Sequence, residues 1–403
     1  MLIRDLAQLV TPSGEGVPLR GEALGEVQLV RDAYLLCEGG LVGDVGRMKD
    51  LRLKGDLLEV DGRGLCAIPG LVDCHTHLCF AGDRVDEFAL RAGGAGYEEL
   101  HAAGGGILST VRATRAASER ALAESVTRHR DWMLRAGTTT FEGKSGYGLD
   151  RKTELASLRA IRAAGGVPTF LGAHAVPPEF ADAPSYVEFL LAEVLPEAAE
   201  LAESADVFLE RGAFGLVEAR RYLEACLAFG LTLRVHGDQF TESGAVQLAI
   251  ELGARSVDHL EATGEDGIRA LAASGVTAVL LPASALFLGR SMPPARRLVD
   301  AGAAIALATD FNPGSAFCES LPLVCSLAAT QLGLTPAQAL SACTVNAAHV
   351  LGRAHDVGRL APGFRADCVL LDAPDWRYLS YHLGGDVVSS VVQNGRVAWA
   401  RQS

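Results

Sequence analysis

The stretch "RKTELASLRAIRAAGGVPTFLGAH", residues 151–174, carries two different periods. Apolar side chains recur at Leu155, Leu158 and Ile161, which is one stripe of an amphipathic helix. Gly165 and Gly166 then break the pattern, and glycine suits the left-handed position just past a helix end. A short apolar run from Val167 follows and closes on His174. Bounded by glycines and this short, the run reads as a buried strand.

The same unit recurs along the chain. Apolar runs stand at 70–78, 138–144, 167–174, 205–210, 231–238, 255–261, 277–282 and 304–310. Most follow a helical segment that ends in glycine, such as "LRAG" (134–137) or "DAG" (300–302). Strands alternating with helices imply parallel strands joined by crossovers, and eight of them imply an α/β fold of the (β/α)₈ TIM-barrel type. An open doubly wound sheet is the alternative, but no GxGxxG follows any strand. Residues 321–353 read as additional helices. Residues 1–68 instead hold short strand-like runs such as "EVQLV" and "AYLLCEGG", and the pattern returns in "VGRLAPGFRADCVLLDA" and "DVVSSVVQNGRVAWA". The expected organisation is a barrel over 69–356 and a small β-sandwich domain composed of 1–68 and 357–403.

Composition narrows the function. The 403 residues are 49% hydrophobic, enough for a large core. The net charge of −13 speaks against nucleic acid, whose phosphates need clustered Lys and Arg, yet leaves room for a small anion read by one Arg. No apolar run approaches the roughly 20 residues that span a bilayer, so no membrane partner is expected. The opening "MLIRDLAQLVTPSGEG" has no basic region followed by a long apolar core, so no signal peptide is expected. The nine cysteines are scattered and odd in number, which suits reduced core residues of a cytoplasmic protein.

In a barrel of this kind, chemistry sits at the C-terminal ends of the strands. Those ends carry His75 and His77, Glu142 and Lys144, His174, Glu210, His236, His259 and Asp310. Alternation along a strand sets His75 and His77 on one face. They read either as a pair of core histidines or as half of a metal site. A carboxylate such as Asp310 and a third imidazole such as His236 would complete a ligand set suited to Zn²⁺ or a similar metal. Asp310 could instead cap a helix, but Pro313 and Gly314 follow it, which marks a loop.

"PGLVDCHTHL", a later strand-end His and "ATD" together resemble the amidohydrolase superfamily of metal-dependent barrel hydrolases. Seven blocks spread over 69–315 sharpen the likeness: "FAGDRVDEFALR", "GGGILSTVRATR", "FEGKSGYGLD", "FLGAHAVP", "VHGDQF", "VDHLE" and "ATDFNPGS". In this order they resemble the imidazolonepropionase family. The resemblance implies hydrolysis of the ring amide of 4-imidazolone-5-propanoate to N-formimidoyl-L-glutamate, in histidine degradation. It implies one Zn²⁺ or Fe³⁺ per subunit on His75, His77, His236 and Asp310, and a homodimer. It also implies that Asp310 takes the proton of the attacking water, that His259 polarises the carbonyl or moves a proton, and that His174 binds substrate.

Arg84 suits the propionate, because guanidinium holds carboxylate in bidentate fashion, and its matching block supports that role. Tyr147, and less strongly Tyr97, are candidates for the same carboxylate or the ring. Asn312, Gly314 and Ser315 either bind the substrate tail or shape the loop after Asp310. Gln239 is a departure: deaminases of the superfamily have Glu at that place. Gln cannot titrate, though its amide can hold a lactam, so proton transfer falls to Asp310 and His259. Glu210 or Lys144 could bridge a second ion, but one metal is expected. The alternatives are another cyclic-amide hydrolase, from which Arg84 and Tyr147 discriminate, an aminohydrolase of the superfamily, which Gln239 disfavours, and a metal-free scaffold, which an intact ligand set disfavours.

Overall fold

The computed structural model describes residues 1–52, 57–94 and 105–402. Eight parallel strands form one sheet in chain order: Leu71–Asp73, Thr138–Lys144, Val167–Ala173, Ser204–Leu209, Thr232–Gly237, Ser256–His259, Thr277–Leu280 and Ala304–Leu307. They are numbered first to eighth below. Every neighbouring pair is parallel. The first and eighth strands meet just beyond their regular ends. The Asp310 N–H donates to the His75 carbonyl at 3.1 Å, and the His77 N–H to the Phe311 carbonyl at 2.9 Å. The result is a near-closed (β/α)₈ barrel whose seam runs through three of the candidate ligands.

The seam explains why the first strand stops at Asp73, earlier than the apolar run predicts. Its continuation is shared between two neighbours: His75 and His77 bond to the end of the eighth strand, while the Thr76 carbonyl still accepts from the Lys144 N–H of the second at 2.9 Å. The Thr76 hydroxyl, donating to the Glu142 carbonyl at 2.6 Å, keeps a tether to the second strand. The helix Arg151–Ala163 forms as its stripe demands, with Leu155, Leu158 and Ile161 buried. Asp150 caps it, accepting from the Thr153 N–H at 2.7 Å. Glu154 is also fully buried in that helix, which an apolar stripe does not foretell. Helices Leu321–Gln331, Pro336–Ala342 and Val345–Val350 occupy the region read as additional helices.

A separate mixed sheet comes from both ends of the chain. Its strands are Leu2–Pro12, Val27–Glu38, Leu41–Arg47, Glu59–Asp61, Cys66–Pro69, Cys368–Leu371, Val388–Gln393 and Arg396–Ala400. Cys66–Pro69 pairs antiparallel with Cys368–Leu371, which joins the two ends. Alternation divides the sheet's side chains. Ile68, Val369 and Val391 join the core shared with the barrel, while Ala67, Leu370 and Val392 join Leu6, Leu9 and Leu35 in a second core. The runs "EVQLV" and "AYLLCEGG" belong to one long strand, not two. Among the described residues, no helix is long and apolar enough to cross a membrane.

Candidate metal centre

Five imidazoles and one carboxylate gather at the C-terminal end of the barrel. His75 and His77 follow the first strand, His174 the third, and Asp310 the eighth, while His236 and His259 lie in the fifth and sixth. Asp310 Oδ1 is 3.5 Å from His75 Nε2 and 3.4 Å from His77 Nε2. His77 Nε2 and His236 Nε2 face each other at 3.2 Å. Ligand atoms of His75, His77 and Asp310 lie within 4.8 Å of one another, as do those of His75, His236 and His259.

The imidazoles are held from behind. His75 Nδ1 donates to Asp258 Oδ2 at 2.6 Å. His236 Nδ1 lies 2.9 Å from Asp206 Oδ2. With the proton on Nδ1, each Nε2 keeps its lone pair for the site. Burial holds His75 and His77 well below the usual imidazole range, and His236 down at about 3 despite Asp206 beside it. Burial also lifts the Asp310 carboxyl to about 6, against the opposing pull of His259. Burial works against a charge on His259, but the carboxylates of Glu261, 3.6 Å from Nδ1, Asp310 and Asp258 together outweigh it and raise its pKa.

The backbone at these strand ends is unusual. Asp238, His259, Leu260 and Asp310 have φ of 52°, 84°, 71° and 56°. Left-handed backbone in non-glycine residues costs of order 1–3 kcal/mol each and persists only where the surroundings enforce it. Here it turns His259 and Asp310 toward the imidazole cluster.

The cluster forms one wall of a cavity of about 680 Å³. Arg84, Tyr147, His174, Gln239, Asn312 and Ser315 line it, as does Gly314. Arg84 Nε donates to Glu87 Oε2 at 2.9 Å, so the guanidinium is clamped. It lies against Gly314, where a Cβ would meet Arg84 Nη1 at 2.0 Å. Tyr147 is buried, its ring 6.0 Å from that of His77, and burial pushes its phenol up. His174 stacks on His77 with centroids 5.1 Å apart and donates from Nδ1 to the Gly146 carbonyl at 2.9 Å. Burial lowers its pKa to about 4. Asn312 shapes its loop: Oδ1 accepts from the N–H groups of Gly314 and Ser315, each at 2.8 Å. Tyr97 lies outside the described residues.

Glu210 and Lys144 have partners of other kinds. Glu210 accepts from the N–H groups of Phe240 and Thr241 at 2.8 and 3.1 Å, which pins the loop after the fifth strand. Lys144 is fully buried beneath the cluster among carboxylates. Asp206, Asp258 and Glu154 were not singled out from sequence. Each is an acidic residue inside an otherwise apolar strand or helix stripe, and that mismatch is the signal that marks them.

A model of the amidohydrolase family matches residues 66–398, and the chain belongs to that family. Within it the chain belongs with the imidazolonepropionases. It is 62% identical to the imidazolonepropionase of Rubrobacter xylanophilus, over 98% of this chain and 97% of the relative. It is 46% identical to that of Chloroflexus aggregans, over 98% of each. Among solved structures, E. coli guanine deaminase superposes with a TM-score of 0.72 at 16% identity, covering 100% of both chains. That likeness concerns the fold.

Proposed function

We propose that this chain hydrolyses the ring amide of 4-imidazolone-5-propanoate to N-formimidoyl-L-glutamate, a reaction of histidine degradation. The observation that carries the reading is a buried His and Asp cluster opening onto the same cavity as a clamped arginine. The full-length likeness to imidazolonepropionases supports the same substrate.

The donor set fits a metal ion. His75 Nε2, which faces Asp310, is buried with no hydrogen-bond partner. His77 Nε2 and His236 Nε2 turn toward each other at 3.2 Å, an arrangement a cation between them would relieve. One Zn²⁺ or Fe³⁺ would be held by His75, His77, His236 and Asp310. When bound, such an ion supplies a water of lowered pKa and a polarised carbonyl.

The remaining steps belong to the chain's own residues. Asp310, 3.4–3.5 Å from His75 Nε2 and His77 Nε2, receives the proton of the attacking water and returns it to the ring nitrogen as the C–N bond breaks. His259, beside the Glu261 carboxylate at 3.6 Å, hydrogen-bonds the ring carbonyl and stabilises the charge that develops there. Gln239 donates to and accepts from the lactam, orienting it. Arg84 and Tyr147 hold the propionate, with Asn312, Gly314 and Ser315 forming that end of the cavity and His174 flanking the ring. Tyr97 belongs to the same proposal for the carboxylate. The barrel over 69–356, the composite domain of 1–68 with 357–403, a homodimer and a cytoplasmic location complete the reading.

The test is turnover of freshly prepared imidazolone propionate, followed by ultraviolet absorbance, with metal content measured on the same sample. Metal-dependent turnover is expected. A metal-loaded chain that leaves this substrate intact overturns the reading.

A further inference from the structure

Both carboxylates that hold ligand histidines converge on one ammonium. Lys144 Nζ is 2.6 Å from Asp206 Oδ2, the oxygen that lies 2.9 Å from His236 Nδ1. The same Nζ is 3.9 Å from Asp258 Oδ2, the oxygen that His75 Nδ1 reaches at 2.6 Å. Lys144, Asp206 and Asp258 are all fully buried. Glu142 Oε1 accepts from Lys144 at 3.0 Å and is itself 2.7 Å from Arg234 Nη1, also buried. Neither cation reaches the cavity that would take substrate.

We propose that Lys144 is a positioning residue for the metal centre, locking Asp206 and Asp258 so that His236 and His75 both present Nε2 to the ion. The proposal rests on the metal-centre reading above. Its physical basis is that a buried ammonium between two carboxylates offsets their desolvation and fixes which oxygen each one turns to its histidine. Partners of this kind orient ligand imidazoles, and their loss typically lowers metal affinity 10–100-fold. Lys144 lies on the second strand, Asp206 on the fourth, Asp258 on the sixth and His236 on the fifth. One side chain therefore couples four strands beneath the site.

The experiment measures Zn²⁺ affinity by competition with a chromophoric chelator, on chain first stripped of metal. Lys144→Met, shown to be folded by circular dichroism, is expected to bind Zn²⁺ 10–100-fold more weakly than the wild type. Adding Lys144→Met to Asp206→Asn is expected to cost less than the two single losses together, because both act through His236. Unchanged affinity in Lys144→Met, or strict additivity in the double variant, overturns the proposal while the metal reading stands. A wild type that binds no Zn²⁺ overturns that reading as well. If Lys144→Met does not fold, nitrogen-15 NMR of the metal-free wild type decides. Nδ1–H imidazoles at both His75 and His236 are expected, and an Nε2–H form at either overturns the proposal.

Discussion

Gly314 is where the proposed carboxylate site is most easily broken. A Cβ there would stand 2.0 Å from Arg84 Nη1, so the guanidinium must move. Its Nε contact to Glu87 would go with it. Gly314→Ala is therefore expected to raise KM for the imidazolone at least tenfold with metal content unchanged, as Arg84→Gln would. Steady-state kinetics beside metal analysis checks this, and an unaltered KM would mean that Arg84 does not read the propionate. Glu154 supports the opposite wall. Its buried carboxylate accepts from the N–H groups of Gly146, Gly148 and Leu149 at 2.8–3.0 Å, which sets the loop bearing Tyr147. Hydrogen bonds to a charged acceptor are worth about 1.5–3 kcal/mol each, and Glu154→Gln weakens three at once. A lowered Tm and a raised KM are expected, with bound metal retained. The histidines of this site could be read from sequence because imidazole is rare and falls repeatedly at strand ends. Asp206 and Asp258 show in sequence only as acidic residues inside apolar runs, because their partners come from other strands and are fixed only when the barrel closes.

The fifth strand shows how an element carries its candidate ligand. Gly237 follows His236 and lies under the helix Ala245–Glu251, where an added Cβ would meet Ala245 Cβ at 2.1 Å. Overpacking of this kind typically costs about 1–3 kcal/mol. Gly237→Ala is expected to lower stability by that order in denaturant titration. It should also weaken metal binding, because the strand that moves holds His236. A loss of stability with full metal affinity would show that the helix yields and the strand does not. The eight barrel strands were readable as apolar runs because parallel strands are buried on both faces. The sheet from the chain ends was less so. In Leu2–Pro12 the register shifts between Ile3 and Leu6, and Asp5 adopts φ of 57°, so a bulge interrupts the alternation that would announce a strand. The early end of the first strand was hidden for a related reason. Residues 74–78 continue the run without a break signal, yet His75 and His77 bond to the end of the eighth strand, more than 200 residues away in sequence, while Thr76 stays with the second.

Viewed as one object, the barrel is held shut at the seam by few direct contacts. Two backbone hydrogen bonds join the ends of the first and eighth strands beside His75, His77 and Asp310, and the Asp73 carboxylate accepts from the Thr309 N–H and hydroxyl at 3.2 and 2.6 Å. A metal on those residues and on His236 would bind the first, fifth and eighth strands to one point. Such a ligand stabilises the folded chain by RT ln(1 + [L]/Kd), about 2.7 kcal/mol when free metal is 100 times Kd. The unfolded chain scatters these four groups and gains little. Stripping the metal is therefore expected to lower Tm, and titrating Zn²⁺ back to raise it with the logarithm of free metal. Asp310→Asn should flatten that dependence, since an amide is a poor substitute for a carboxylate ligand. Gly314→Ala should leave it intact, because its effect falls on the substrate's carboxylate. Differential scanning calorimetry across a series of buffered Zn²⁺ concentrations measures all three chains in the same way. A Tm independent of metal in the wild type would mean that the seam closes without an ion. The His and Asp cluster would then owe its arrangement to the chain's own contacts, the backbone bonds of the seam and the carboxylates behind His75 and His236.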